Sequence, residues 1–409
     1  MVHGAVESDA GAELAAGDAG RRVGRTCRAA FIAALLVGLM VAVGAAWQTP
    51  RASAHAVAKG LWDDTFVAAS AAKQNSILNE IASPSQLHAS TVRLMVFWAR
   101  AEPAEGVFDE AYLFQLKTAI DAAQAHGLRV ILTTYEVPKW ASDTSLWKSP
   151  PPGPFGFKKN IYYYFYAPKA AALSQFTDFA QHIATEFKGE VFAYEAWNEA
   201  NIFWFLYPQR TVTDGNAGVR TYFGMLKAFS KGIRAGDPDA LVLGGNTASQ
   251  GVNNVRSTSP LNWAHWLKSH GVLKYADAYS HHVYALGGSG PIRAPELAPR
   301  YPQWTVVLGN IGALLRIFPK TDFYLTEWGY NATPSRLFGG GGVGEKQQAA
   351  YLTRGFKLAG KYPQIKLLIW YLRVDVKAGS SIFSPPMSTG LRRANLTKRP
   401  AWWAFRNVR

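Results

Sequence analysis

An α/β fold built on one parallel sheet is predicted for this 409-residue chain from three observations. Short apolar runs rich in β-branched and aromatic residues alternate with amphipathic segments at helical spacing from about residue 60 to the end. Such an alternation packs as parallel strands with the helices outside them. Two of the runs, 191–199 and 322–327, end in a glutamate, Glu199 and Glu327, just where a buried strand should emerge. From Val57 onward the length suits one large core, with neither an internal repeat nor room for a second domain after the last helix.

The elements follow in order. The first strand is expected at 60–64 and the second at 91–98, with a short helix at 75–81 between them. Leu113, Leu116, Ile120 and Ala123 share one face of a helix over 111–126, which Gly127 ends. The third strand is 128–134, and a helix at 174–187 leads to the fourth, 191–199. Helices at 222–235 and 261–270 precede the fifth and sixth strands, 240–245 and 276–284. A helix at 304–318 precedes the seventh strand, 322–327, and one at 346–360 the eighth, 365–371. Residues 401–406 close the chain as a helix. Eight strands, each followed by a helix, predict a (β/α)8 TIM barrel, a single catalytic domain over 57–409 whose chemistry sits at the C-terminal strand ends.

Two connections are long. Residues 142–168, with a Pro/Gly stretch at 150–156 and a run of tyrosines after it, follow the third strand and so belong on the catalytic face. Residues 335–345 carry glycines at 339–342; without a following Gly-Lys-Ser/Thr they predict a flexible lid rather than a phosphate cradle.

The N-terminal segment is read apart from the fold. Residues 1–20 are rich in Ala, Gly and acids without periodicity and are expected to be disordered. Arg21, Arg22, Arg25 and Arg28 then precede the uncharged apolar run 29–47, so 1–28 reads as a basic-ended cytoplasmic n-region and 29–56 as a signal peptide with a short linker. Small-x-small cleavage sites occur at 52–54 and 54–56. The run also reaches the roughly 17–25 residues that span a bilayer, so a retained anchor is the alternative, with the domain outside in either case. The only cysteine, Cys27, precedes the run, which leaves the exported part without thiol or disulfide. A formal net charge of +15 suits an anionic cell-envelope polymer as a surface partner. No Lys/Arg run argues for a specific nucleic-acid site, and the membrane is expected to be met only through the N-terminal segment.

Two carboxylates brought together from barrel strand ends are the apparatus of glycoside hydrolysis. The residues around them carry a family resemblance. Tyr194-Glu-Ala-Trp-Asn-Glu-Ala-Asn201 resembles the acid/base strand of clan GH-A glycoside hydrolases, and Leu325-Thr-Glu-Trp-Gly329 resembles their nucleophile strand. Trp98-Ala-Arg-Ala-Glu-Pro-Ala-Glu-Gly-Val-Phe-Asp109, Thr134-Tyr-Glu-Val-Pro-Lys-Trp-Ala141 and Asp277-Ala-Tyr-Ser-His-His-Val-Tyr284 are similar to stretches at the second, third and sixth strands. Families 5 and 39 look closest. The departures are Ala200, where such motifs usually carry proline, and the lack of an accessory carbohydrate-binding module.

The resemblance implies a retaining β-glycosidase that takes a carbohydrate substrate without metal or cofactor, with Glu199 as acid/base and Glu327 as nucleophile. It also implies that Asn198 contacts the sugar hydroxyl beside the reacting carbon, that Tyr284 bonds Glu327, and that His282 meets the substrate. Arg93 lies mid-strand, where an unpaired guanidinium would be costly, and Glu327 is its natural partner. Trp370 at the end of the eighth strand is expected as a sugar platform, with Trp140, Trp328 and Trp204 as further candidates. Glu195 reads as a buried structural carboxylate, and Glu102, Glu136 and Asp375 stay unassigned. His281 and His282 do not form a metal pair, since neighbours on a strand point apart. A transglycosylase with the same residues, or a non-catalytic barrel that binds cell-wall polysaccharide, fits the same sequence.

Overall fold

A computed structural model describes residues 55–148, 163–285, 291–334, 341–376 and 387–408, and in it eight parallel strands close into a barrel in sequence order. The strands are β1 (Ala58–Trp62), β2 (Thr91–Phe97), β3 (Arg129–Tyr135), β4 (Ala193–Glu195), β5 (Leu241–Thr247), β6 (Ala278–His282), β7 (Phe323–Trp328) and β8 (Ile365–Tyr371). The main helices are α1 (Ala71–Ala82), α2 (Glu110–Ala125), α3 (Leu173–Glu186), α4 (Ala217–Gly236), α5 (Pro260–Ser269), α6 (Gly312–Ile317), α7 (Glu345–Ala359) and α8 (Pro400–Asn407). The predicted (β/α)8 barrel is therefore the fold. The N-terminal segment, the Pro/Gly stretch at 150–156 and the first part of the 335–345 connection lie outside the described residues. Among the described residues no helix is long and apolar enough to cross a membrane.

Period-two alternation sorts each strand between two apolar layers. Ile131, Ala193, Leu243, Ala278, Tyr324, Leu367 and Ile369 point inward and fill the lower barrel. Their neighbours, among them Val92, Leu94, Val130, Leu132, Val242, Leu325 and Leu368, point outward and join the helices in the main core. Both faces are apolar because helices cover the whole outside, as in other all-parallel sheets.

The parity of β7 and β8 corrects two expected platforms. Trp370 follows inward-facing Ile369, so its ring points outward, fully buried, with its indole N–H donating to the Thr389 carbonyl at 2.9 Å. Trp328 likewise faces the helices and meets Trp370 edge-on at 5.1 Å between centroids. Neither can present a face to a sugar. Trp328 lies so close to α7 that a Cβ on Gly355 would fall 2.0 Å from its Cη2. Gly355→Ala is accordingly expected to cost about 1–3 kcal/mol by overpacking, measurable as a lower denaturation midpoint.

Two elements fall furthest short of their expected lengths. The ladder of β4 stops at Glu195, and Trp197 and Glu199 take left-handed backbone angles (φ 79° and 39°) that fold the chain over the barrel mouth. Residues 304–311 form no α-helix before α6: Gln250 bridges Thr305, and Leu308–Asn310 make a single 3-10 turn.

The first strand and first helix of the barrel are tied to its last segments. Lys59 in β1 donates to the Phe405 carbonyl at the end of α8 and to Leu87, at 3.0 and 3.1 Å. Glu80 of α1 accepts from Arg373 at 3.2 Å, from Arg392 at 2.6 Å and from the Trp402 indole at 2.7 Å, while Arg373 also bonds Asp63.

Candidate active site

The site begins with a charge the barrel has buried. Arg93 of β2 is 0% exposed, and each nitrogen of its guanidinium has a partner. Nε donates to Glu195 at 2.8 Å and to Thr133 Oγ1 at 2.9 Å. Nη1 donates to Glu327 Oε1 at 2.5 Å and Nη2 to Asn198 Oδ1 at 2.8 Å. Thr133 and Thr326 then donate to the two oxygens of Glu195 at 2.6 and 2.7 Å. Burial would push the Glu195 carboxyl up, but Arg93 with His282 and the two hydroxyls holds it below the usual 4.5. Glu195 is thus the satisfied structural carboxylate that the sequence suggested, and Arg93 does meet Glu327.

Above this layer sit the two strand-end carboxylates. Glu327, on β7, accepts from Arg93 and, at 2.9 Å, from the Tyr284 hydroxyl. Glu199, carried past β4 by the left-handed turns, accepts from His282 Nδ1 at 2.8 Å, and the same nitrogen lies 3.6 Å from Glu327. One atom each of Glu199, His282 and Glu327 lie within 4.8 Å of one another. Burial works to discharge His282, yet Glu327 and Glu199 together keep its pKa above the usual 6.5. With Arg93 on one carboxylate and the His282 ring on the other, the triangle suits proton handling. His281 points to the opposite face, bonded to Thr247 at 2.7 Å and to the Val306 carbonyl at 3.0 Å, and burial lowers it to about 3.

His282 departs from expectation in one respect. Its side chain is wholly buried, so it touches Glu199 rather than anything arriving from the mouth. Of the expected aromatic residues, Trp140 and Trp204 lie on loops after β3 and β4: Trp140, half-buried, donates from its indole to the Glu102 carbonyl at 3.0 Å and meets Trp98 edge-on. Trp204 is also half-buried, edge-on to Phe203. Sequence reasoning missed the aromatic pair that does line the site. Tyr371, the inward neighbour of Trp370, stacks on Trp62 of β1 at 4.3 Å and 15°, and meets Tyr284 edge-on at 6.1 Å. Both faces of β8 are apolar, so its sequence carried no signal that separates Tyr371 from Trp370.

Two carboxylates from β4 and β7, a buried arginine between them and this barrel together define a clan GH-A glycoside hydrolase. Comparison narrows the class: the family model Cellulase (glycosyl hydrolase family 5) matches residues 64–353, and the chain belongs to that family. Solved structures of similar fold include a family 39 glycoside hydrolase from the gut symbiont Bacteroides cellulosilyticus WH2, 17% identical with a TM-score of 0.56, covering 86% of this chain and 62% of that one. The exo-β-1,4-mannosidase Op5Man5 from Opitutaceae bacterium strain TAV5 is 17% identical, TM-score 0.56, over 87% of this chain and 60% of that one. GH5_18 from Streptomyces cattleya in complex with GlcNAc is 14% identical, TM-score 0.60, over 87% and 80%. At such identities these likenesses establish the fold, and the chain spans less than two thirds of the length of the first two. No curated protein matches the sequence.

Proposed function

We propose that this chain is an exported retaining β-glycosidase cleaving O-glycosidic bonds of an oligo- or polysaccharide, with Glu327 as nucleophile and Glu199 as acid/base. The observation that carries the proposal is the separation of the two carboxylates, within 4.8 Å at their nearest chelating atoms. Retaining enzymes hold the pair roughly 5–5.5 Å apart, whereas inverting enzymes leave about 6.5–9.5 Å for a water.

The groups around each carboxylate divide the labour. Arg93 and Tyr284 both donate to Glu327 and fix its carboxylate in place. A Glu327 oxygen attacks the anomeric carbon while the proton of Glu199 passes to the departing glycosidic oxygen. Glu199, now a base, takes a proton from water as that water attacks the same carbon and frees Glu327. Arg93 holds the amide oxygen of Asn198, so the Asn198 NH2 group is the one left for the hydroxyl beside the anomeric carbon. Trp62 on Tyr371 offers an aromatic surface to the apolar face of a pyranose, and Trp140 is a second indole at the mouth. The mannosidase among the similar structures makes β-mannosides the first glycones to try, and the GlcNAc complex makes GlcNAc a first aglycone. Export rests on the basic, then apolar, N-terminal segment, and the basic surface would attract an anionic envelope polymer.

The test is turnover of a panel of aryl β-glycosides by the parent and Glu199→Gln. With a poor leaving group the variant is expected to lose about 10²–10⁴-fold in kcat/KM, and with a dinitrophenyl leaving group far less. Azide should then restore its turnover and yield a β-glycosyl azide. Equal rates of parent and variant on the poor leaving group would remove Glu199 from the acid/base role, and an α-configured product would refute retention.

A further inference from the structure

Below Glu199, strands β5 and β6 enclose polar atoms that no other described group satisfies. Both amide atoms of Asn246, the hydroxyl of Ser280 and Nε2 of His282 are buried without a hydrogen-bond partner. All three residues are 0% exposed. An unmet buried polar atom is costly, so four on two adjacent strands need a common explanation.

Their side chains converge on the barrel interior. Ser280 and His282 share the inward face of β6, since His281 between them bonds Thr247 and the Val306 carbonyl on the outer side. On β5 the register shifts between Gly244 and Thr247. A Cβ on Gly244 would meet Leu226 and Ala276, and one on Gly245 (φ 96°) would fall 2.5 Å from the Tyr279 ring, so both of these positions face the helices. Thr247 faces outward too, and the bulge leaves Asn246 as the inward residue, in a left-handed conformation (φ 33°) that asparagine tolerates better than most residues. The carbonyl of Asn246 accepts from the Ala200 N–H at 3.1 Å, which fixes it directly beneath the turn that carries Glu199.

We propose that Asn246 and Ser280 form an internal hydration site under His282, and that water held there joins the Asn246 amide oxygen to His282 Nε2–H, keeping the ring doubly protonated with its Nδ1–H fixed on Glu199. The site is polar and offers the two to four partners an internal water needs. The charged and titratable groups facing the ring are Glu199 from the β4 turn, Glu327 from β7, Arg93 from β2, Glu195 from β4 and Tyr284 from β6, with neutral His281 behind it. Burial favours discharging the ring, the carboxylates oppose this and Arg93 assists it, so a hydrogen-bond acceptor at Nε2 weighs directly on the balance. Asn246 and Ser280 are positioning residues here: they act on Glu199 through His282 and do not reach the sugar.

The inference rests on Glu199 as the acid/base, whose deprotonation then sets the basic limb of kcat/KM. Losing the imidazolium lets Glu199 keep its proton to higher pH. Asn246→Leu, which fills the site with an apolar group, is expected to move the basic limb up by about one unit on an aryl β-glycoside with a poor leaving group. Ser280→Ala, which imposes no backbone strain, should move it the same way by less, and it decides the matter if Asn246→Leu does not fold. A limb that stays in place or moves down in Ser280→Ala and in folded Asn246→Leu overturns the inference. Glu199→Gln separates the two claims. If the limb persists in that variant, the reading of Glu199 falls and takes this inference with it. If the limb vanishes there while the β5 and β6 variants leave it unmoved, only the hydration site is refuted.

Discussion

Replacing Glu327 by glutamine is expected to lower kcat/KM by at least about 10⁴-fold on every substrate the parent turns over. The amide has no charge with which to attack the anomeric carbon, and both groups that donate to the carboxylate, Arg93 and Tyr284, would then meet a neutral side chain. The loss should be chemical rather than structural, because Arg93 keeps Glu195, Thr133 and Asn198 as partners. Thermal unfolding should therefore shift little, and a burst of released aryl alcohol should be absent even with an activated leaving group. A variant within tenfold of the parent would show that Glu327 is not the nucleophile.

Arg93→Met is expected to be the most destabilising single change at the site, at about 3–5 kcal/mol. The cost comes less from lost bonds than from what remains, since Glu195 would stay wholly buried without the guanidinium that pairs it, with only the more distant His282 left. Its carboxyl pKa would then rise above the unfolded value, where the parent holds it below. The sign of the pH dependence reverses accordingly. The parent's share of stability from Glu195 is present above about pH 4.5 and is lost as pH falls through the depressed value, whereas in the variant a penalty present at neutral pH is relieved as Glu195 takes up a proton. Denaturant midpoints for Arg93→Met, alone and with Glu195→Gln, measured between pH 7 and pH 4, check both statements. The double variant should recover part of the loss at pH 7. A single variant as stable as the parent at pH 7 would show that the buried charge is compensated elsewhere.

The barrel was legible because its strands are short apolar runs broken by well-formed amphipathic helices, and α2, α3, α7 and α8 fall within a residue or two of the spacing that predicts them. Residues 304–311 misled because an apolar run with helical spacing also contains Gly309, which packs against the Leu297 carbonyl and leaves no room for a side chain. Glu199, Glu327 and Arg93 were legible from strand ends and from the cost of a buried charge. The platforms were not. In an all-parallel barrel both strand faces are apolar, so nothing in residues 365–371 alone says whether Trp370 or Tyr371 faces the sugar. Trp328 is different: once Glu327 is taken to face inward, simple alternation already sends its neighbour outward. Asn246 escaped notice because it looks like an ordinary strand-end amide, and its inward direction depends on a bulge that two consecutive glycines permit.

Closing the barrel gives synthesis of this protein a definite last step. Strand β1 finds its second neighbour only in β8, pairing from Ala58–Leu367 to Trp62–Tyr371, and Lys59 waits still longer for the Phe405 carbonyl, 346 residues away. A nascent chain that has not yet delivered Ile365 holds two open sheet edges and an exposed row of backbone donors and acceptors, the arrangement most prone to pairing with another chain. Contacts of such sequence separation form late and slowly. Quality control of the newly made protein therefore falls on its final segment: a product truncated before β8 is an adhesive sheet, and the arrival of a single strand and helix converts it into a sealed one.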